Sequence, residues 1–262
     1  MLSPESTVGE FLFTTVNTIA KREEEIWPRL IDPSDRDAIH DCRVEIRKLR
    51  AVLGGCTSLI EKEWIRNLRS QLKAADEIIS PLRNAHVLTD RFNGYPESIV
   101  NSNFALCVRL EKMLSEAEAT FQNKLNSQQF TAFLAIIDLT KGGSIPALNP
   151  DELVFKHLKK FNKQQWNSLT RKILNTKKHQ LHQSRIKAKK VRYLAEASIP
   201  ILGERIEKQA RLANQIQTLL GDLQDSTMMT QIATSPYLLE IERREVERIE
   251  ITWEQLARKV LN

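Results

Sequence analysis

His40-Asp41-Cys42-Arg43-Val44-Glu45-Ile46-Arg47-Lys48-Leu49-Arg50 returns as His182-Gln183-Ser184-Arg185-Ile186-Lys187-Ala188-Lys189-Lys190-Val191-Arg192, displaced by 142 residues. At about 100° per residue, His40, Arg43, Arg47 and Arg50 fall within an arc of roughly 80° on a helix, with Arg36 inside it. Ile39, Cys42, Ile46, Leu49 and Leu53 cluster on the adjoining face, the apolar side a core requires, while Asp41 and Glu45 point elsewhere. In the second copy Lys178, His182, Arg185, Lys189 and Arg192 share one face, with Leu181, Ala188, Val191 and Ala195 beside it. Both copies therefore predict a helix carrying a cationic stripe.

The displacement extends beyond the motif. It takes Arg36 to Lys178, Arg66 to Lys208 and Arg69 to Arg211, with Lys73 falling on Gln215. Such agreement reads as an internal duplication. Glycine and proline, 8 and 9 copies in 262 residues, fall at Pro28 to Pro33, Gly54-Gly55, Pro81, Gly94 to Pro96, Gly142 to Pro150, Pro200 to Gly203, Gly221 and Pro236. Between these breaks lie runs of strong helix formers, so an all-α chain of ten or eleven helices without a strand is expected. Ser34 and Asp37 form a Ser-x-x-acid box that would open the first stripe helix. Residues 141–149 read as a linker between helical halves at 1–140 and 150–262, which together make one folded unit.

Composition bounds the function. Charged residues are 27% and apolar ones 41%, typical of a globular protein. No apolar run approaches the roughly 20 residues of a membrane span, and the N-terminus lacks a basic region followed by an apolar stretch, so the cytoplasm is the expected location. Cys42, Cys56 and Cys107 have no metal-type spacing and read as free, buried thiols. The net charge of +6 favours an acidic partner, and its distribution says more. From Lys177 to Arg192 there are seven Lys or Arg residues and no acid. A stripe about 15 Å long suits a polyanion with regularly spaced charges, and arginine offers forked donors to phosphate oxygens. His40 and His182, at the same place in both stripes, read as phosphate donors.

At these residues the sequence resembles the CHAD family, the conserved histidine α-helical domain, whose halves carry H-x-x-R-V-x-x-R-R-x-R and H-x-x-R-I-x-x-K-K-x-R-Y motifs. The second motif here runs on to Tyr193 and Glu196. Leu82-Arg83-Asn84-Ala85-His86-Val87-Leu88 is similar to the family's R-D-x-x-V segment, and Leu220-Gly221-Asp222-Leu223-Gln224-Asp225 to its L-G-x-x-x-D segment. The resemblance implies two four-helix bundles about an approximate twofold axis, a basic groove or pore that binds inorganic polyphosphate, and association with polyphosphate granules. Asn84 stands where the family usually has Asp, which takes a charge from the support of the first half's arginines. The residues expected to bind are Arg36, His40, Arg43, Arg47, Lys48, Arg50, Arg66, Arg69, Lys73, Arg83, Lys178, His182, Arg185, Lys189, Lys190, Arg192, Tyr193, Lys208 and Arg211.

No catalytic residue, cofactor or metal is expected. H-E-x-x-H and G-x-x-x-x-G-K-S/T are absent, no acid cluster accompanies the histidines, and His179 and His182 alone make a weak chelate. A metal-dependent phosphohydrolase is thus disfavoured. A nucleic-acid module stays open as the alternative, since both partners are phosphate chains, but aromatics are only 6% and Tyr193 alone adjoins a stripe. Trp27, Trp64, Trp166 and Trp253 read as packing residues. The C-terminal segment from Leu238 to Leu261, dense in Glu240, Glu242, Arg243, Arg244, Glu245, Glu247, Arg248 and Glu250, reads mainly as a solvated helix, leaving an assembly role there open.

Overall fold

The computed structural model describes residues 1–126, 130, 138, 145–175 and 181–261. Part of the expected linker, residues 141–144, lies outside them, as do Lys177, Lys178 and His179. Nine α-helices stand among the described residues: α1 (Val8–Ile26), α2 (Arg36–Gly55), α3 (Lys62–Asn93), α4 (Glu97–Ser102), α5 (Phe104–Leu125), α6 (Phe155–Leu174), α7 (Leu181–Leu202), α8 (Glu204–Ile232) and α9 (Pro236–Leu261). Two short 3-10 helices, Trp27–Ile31 and Thr57–Leu59, fill turns, and the described residues contain isolated β-bridges in place of strands. The chain is all-α, as its spacing predicts.

Local chemistry sets the helix ends. At α1 the Thr7 hydroxyl accepts from the Glu10 amide while the Glu10 carboxylate accepts from the Thr7 amide, a reciprocal capping box. At α2 the cap is Asp35, which accepts from the Ala38 amide at 2.9 Å and takes a forked pair of bonds from Arg29. Ser34, expected in that role, bonds Asp32 instead. Two expected breaks are also corrected. α3 runs unbroken through Pro81, and α8 through Gly221. A helix tolerates a proline or glycine at a local cost when tertiary packing on both sides repays it.

Within residues 8–125, α2 packs on α1 and α3, and α5 lies along α3. Within residues 155–261, α6 meets α7, α7 meets α8, and α8 meets α9. The two groups join where α2 packs against α7 and α3 against α8. The largest core unites Phe11, Leu12, Ile39, Ile46 and Leu72 with Leu158, Leu194 and Ile201 from the later helices, and a separate seam joins Leu88, Phe92 and Leu110 to Met229 and Leu238. Burying each such side chain contributes about 1.5–3 kcal/mol, so the junction shares in the stability of both groups. Residues 145–154 also bind the first group, with the Val8 amide donating to Glu152 O and the Leu148 amide to Leu59 O.

One glycine sets how closely the stripe helices approach. A Cβ on Gly55, at the end of α2, would lie 2.9 Å from Leu194 Cδ2 of α7, and Leu194 is fully buried. All four tryptophans pack at least partly into apolar clusters, Trp27 stacking on Phe130 at 5.1 Å. Cys42 and Cys56 are free and buried, whereas Cys107 is half-buried.

Candidate functional site

The apolar face of α2 sinks into the core through Ile39, Cys42, Ile46, Leu49 and Leu53, which turns Arg43, Arg47 and Arg50 toward α3. There they share one acid. Arg47 Nε donates to Asp76 Oδ1 at 3.2 Å and Arg50 Nη1 to Asp76 Oδ2 at 2.7 Å. Arg43 Nε lies 3.7 Å from Asp76 and donates to Ser80 Oγ at 3.2 Å, and Ser80 in turn donates to Asp76. Arg43 also reaches the Asn84 side-chain oxygen at 3.5 Å, so the amide keeps a weak polar contact while Asp76 supplies the charge. Burial, with the charges of Arg47, Arg185 and Arg83, pushes the Arg43 guanidinium down to about 10, against the pull of Asp76.

The second stripe faces the same space. Burial of Lys189 and the positive charges of Arg47, Arg185 and Arg43 push its ammonium down to about 7, with Asp76 as the weaker opposing influence. Arg185 is pushed down by burial and by Arg47, while Asp225 and Asp222 hold it up. Its Nε–H is buried and has no hydrogen-bond partner among the described residues. Gly221 of α8 lies beside it, where a Cβ would stand in ordinary contact, 3.6 Å from Arg185 Nη2. Arg43, Arg47, Arg185 and Lys189 thus converge at the α2–α7 junction. Beside them, Lys190 is pushed down by burial and by Lys187, Arg69 and Arg50, a second cationic patch spanning α2, α3 and α7.

Toward the start of α2 the cations thin out. Arg36 pairs with Asp90. Arg83 is pushed down by burial and by Arg36, with Asp225 and Asp37 pulling the other way. His86 is fully buried, no ring nitrogen makes a well-formed hydrogen bond among the described residues, and burial, Arg36 and Arg83 push it down to about 4 against a weaker influence of the Pro33 backbone. It is therefore neutral at physiological pH.

Several sequence-predicted site residues stand apart from this convergence. Lys48 turns to the α1 side, 2.6 Å from the buried carboxylate of Glu45, which also holds Arg22. Glu45, set off both the stripe and the apolar face by its spacing, is a buried acid. His40 lines a 410 Å³ depression between α1 and α2 with Arg22, Arg29 and Lys48, and burial with Arg83 and Arg43 lowers its proton affinity. His182 is exposed, its Nδ1 3.2 Å from the Gln224 side-chain oxygen. Arg192 pairs with Glu196 at 2.7 Å and lies 5.3 Å from the Tyr193 ring centre. Tyr193 is buried and walls a largely apolar 550 Å³ cavity between α1, α2 and α7. Lys73 pairs with Glu77 and Arg211 with Glu207, while Arg66 and Lys208 are exposed.

Sequence reasoning missed Asp76, Lys187 and a buried cross-link. Arg91 on α3 donates to both oxygens of Glu242 on α9, at 2.8 and 2.6 Å, and to Ser226 on α8 at 2.9 Å. Glu242 is fully buried, so α9 is not a wholly solvated helix. Among the described residues no group of three His, Cys, Asp or Glu is placed to hold a metal, and no helix is long and apolar enough to cross a membrane.

The CHAD domain family model matches residues 15–234. Two Mycobacterium tuberculosis proteins, the uncharacterized Rv2226 of strain H37Rv and MT2285 of strain CDC 1551 / Oshkosh, are each 25% identical over 220 residues, covering 78% of this chain and 41% of theirs. The chain thus spans less than half the length of these relatives. Among solved structures, PptA from Streptomyces chartreusis superposes with a TM-score of 0.74 at 16% identity, covering 96% of this chain and 99% of its own. The CHAD domain from the plant Ricinus communis gives 0.71 at 15% identity, covering 99% and 93%. At such identity these two likenesses speak for the fold.

Proposed function

The chain belongs to the CHAD family, and from that premise we propose that it binds inorganic polyphosphate in the groove between α2 and α7, through halves that arose by duplication and are related by an approximate twofold axis. The observation that carries the reading is the gathering of Arg43, Arg47, Arg185 and Lys189 around one space, with Asp76 the acid among them. Packing like charges together costs free energy in the unliganded protein, and a string of phosphates repays it. The buried Arg185 Nε–H is a donor awaiting an acceptor. A chain with a charge at every phosphate satisfies several such donors in succession, which a single small anion does not.

The protein binds without catalysing. The acids near the groove are already engaged: Asp76 by Arg47 and Arg50, and Asp225 by the charges of Arg185, Arg91 and Arg83. They leave no free carboxylate set for a divalent ion that would activate water. Binding in the cytoplasm and recruitment to polyphosphate granules follow from this reading. Titration with defined polyphosphates across salt concentrations tests it, because each cation that meets a phosphate releases counterions and makes affinity fall steeply with salt. RNA serves as the competitor: displacement of bound polyphosphate by equal phosphate concentrations of RNA would replace this reading with the nucleic-acid one.

A further inference from the structure

The 550 Å³ cavity between α1, α2 and α7 has one charged end. On α1 its lining runs from Thr14 to Arg22, about 12 Å of helix, and on α2 from Val52 back to Glu45. Where the two runs meet, Arg22 Nη1 lies 3.1 Å from Glu45 Oε1 and Lys48 Nζ lies 2.6 Å from the same oxygen. Two cations thus share one buried carboxylate. Beyond that end the walls are mostly apolar, and the exposed Thr14 and Thr18 give a way in from solvent. A second observation comes from α7. Tyr193 lines the same cavity, is only 4% exposed, and its hydroxyl makes no hydrogen bond among the described residues. Burial pushes its proton affinity up, against the pull of Arg192 and Arg47, so the phenol remains a donor.

We propose that this cavity binds a medium-chain fatty carboxylate, its tail along the α1–α2 seam and its head at Arg22, Lys48 and Tyr193. The volume equals about 18 waters of liquid, within the range of small-ligand sites. Apolar walls hold such water loosely. A hydrocarbon tail that displaces it gains about fourfold in affinity for each methylene buried.

Charge decides the head. Arg22 and Lys48 bring two positive charges against the one negative charge of Glu45, and Glu196, which also lines the cavity, is already paired with Arg192 at 2.7 Å. One positive charge is left over. A carboxylate matches it, whereas a phosphate monoester, at about −1.5 to −2 near pH 7, overshoots and would face Glu45 and Glu196 with the excess. One carboxylate oxygen then meets the two cations, and the Tyr193 hydroxyl supplies a neutral donor to the other. The site does not rest on the polyphosphate reading, because none of Arg43, Arg47, Arg185 and Lys189 lines it.

The test titrates the intact chain with fatty carboxylates of increasing length by isothermal calorimetry at neutral pH. Decanoate should bind one to one, and octanoate and hexanoate should each lose about 15-fold for the pair of methylenes removed. Chains longer than the cavity should gain nothing further. Decanol, with the same tail and no charge, should bind about tenfold more weakly than decanoate, and decyl phosphate should also bind more weakly. R22Q and Y193F, each checked for wild-type helicity, should weaken decanoate about fivefold and leave decanol unchanged. T15W, which fills the cavity from α1, should abolish binding of both. Since T15W and R22Q act on different parts of the site, loss of folding in one leaves the other to decide. Affinity that keeps rising with chain length at many sites per molecule overturns the proposal, as does decanol or decyl phosphate binding as tightly as decanoate. Wild-type decanoate affinity in a folded T15W chain overturns it as well.

Discussion

On α2, three arginines gather at Asp76, a carboxylate lent by α3; on α7, Arg185 relies on more distant Asp225 and Asp222, and Lys189 lies among cations with no bonded acid among the described residues. The stripes match in His40 and His182, Arg43 and Arg185, and Arg50 and Arg192, with Lys189 in place of an arginine, and the difference in bonded acids arises in the partner helices. Asp76 fixes the shape of the first stripe and offsets part of its charge. The second stripe has no directly bonded acid among the described residues at the point where the two meet. A repeated sequence thus yields one preorganised wall and one responsive wall.

The comparison breaks most decisively by removing either wall. R43Q/R47Q/R50Q and R185Q/K189Q/R192Q should each lower affinity for long polyphosphate by about 10²-fold or more, because a chain that meets both walls gains its second contact intramolecularly. Short chains should lose much less. If either variant keeps wild-type affinity and only halves the stoichiometry in a binding isotherm, the walls are independent sites.

Removing the acids sharpens the contrast. D76N should lower unfolding stability in urea by about 1–2 kcal/mol, since Arg47 and Arg50 lose a partly buried charged acceptor and are left facing like charges. D225N should cost less, because burial already pushes the Asp225 carboxyl toward its neutral form. Saturating polyphosphate should restore the D76N loss. Equal losses in the two variants would erase the distinction between the walls.

Proton linkage gives a smaller effect. Bound phosphates favour the charged Lys189, raising its proton affinity above the value near 7 of the free groove, so binding takes up a proton between those two values. Affinity should therefore be highest below pH 7 and fall by up to about tenfold per unit above it. K189Q should flatten that slope in a pH series of binding isotherms. The smallest change is expected from H40Q/H182Q. Burial and the nearby arginines lower His40, which confines its proton uptake to more acid solution than an ordinary histidine. The double variant should thus change affinity, and its slope with pH, less than K189Q does, and an equal or larger change would contradict this.

The helical class and the apolar faces were legible because each rests on periodicity along a single helix. What escaped depends on a second element. Lys48 follows Arg47 in sequence, yet one step around a helix carries it about 100° away, onto the α1 side and to Glu45. Asp76 is one acid among several charged residues on α3, and only its position opposite α2 singles it out. Glu242 sits in a segment so charged that solvation is the natural reading, until Arg91 is seen arriving from α3. Pro81 and Gly221 act as breakers only in a helix without neighbours, and both stand in helices held on several sides.

The bond between Arg91 and Glu242 also places the protein in time. Its partners are 151 residues apart in the chain, so at the usual pace of 5–20 residues per second the ribosome needs about 8–30 s after making Arg91 to supply its carboxylate. For that interval the seam around Leu88, Phe92 and Leu110 lacks Met229 and Leu238, and an arginine destined for burial waits in water. The nascent first half is thus a sticky intermediate with an open apolar seam, and α9, translated after α8, is the helix that closes it.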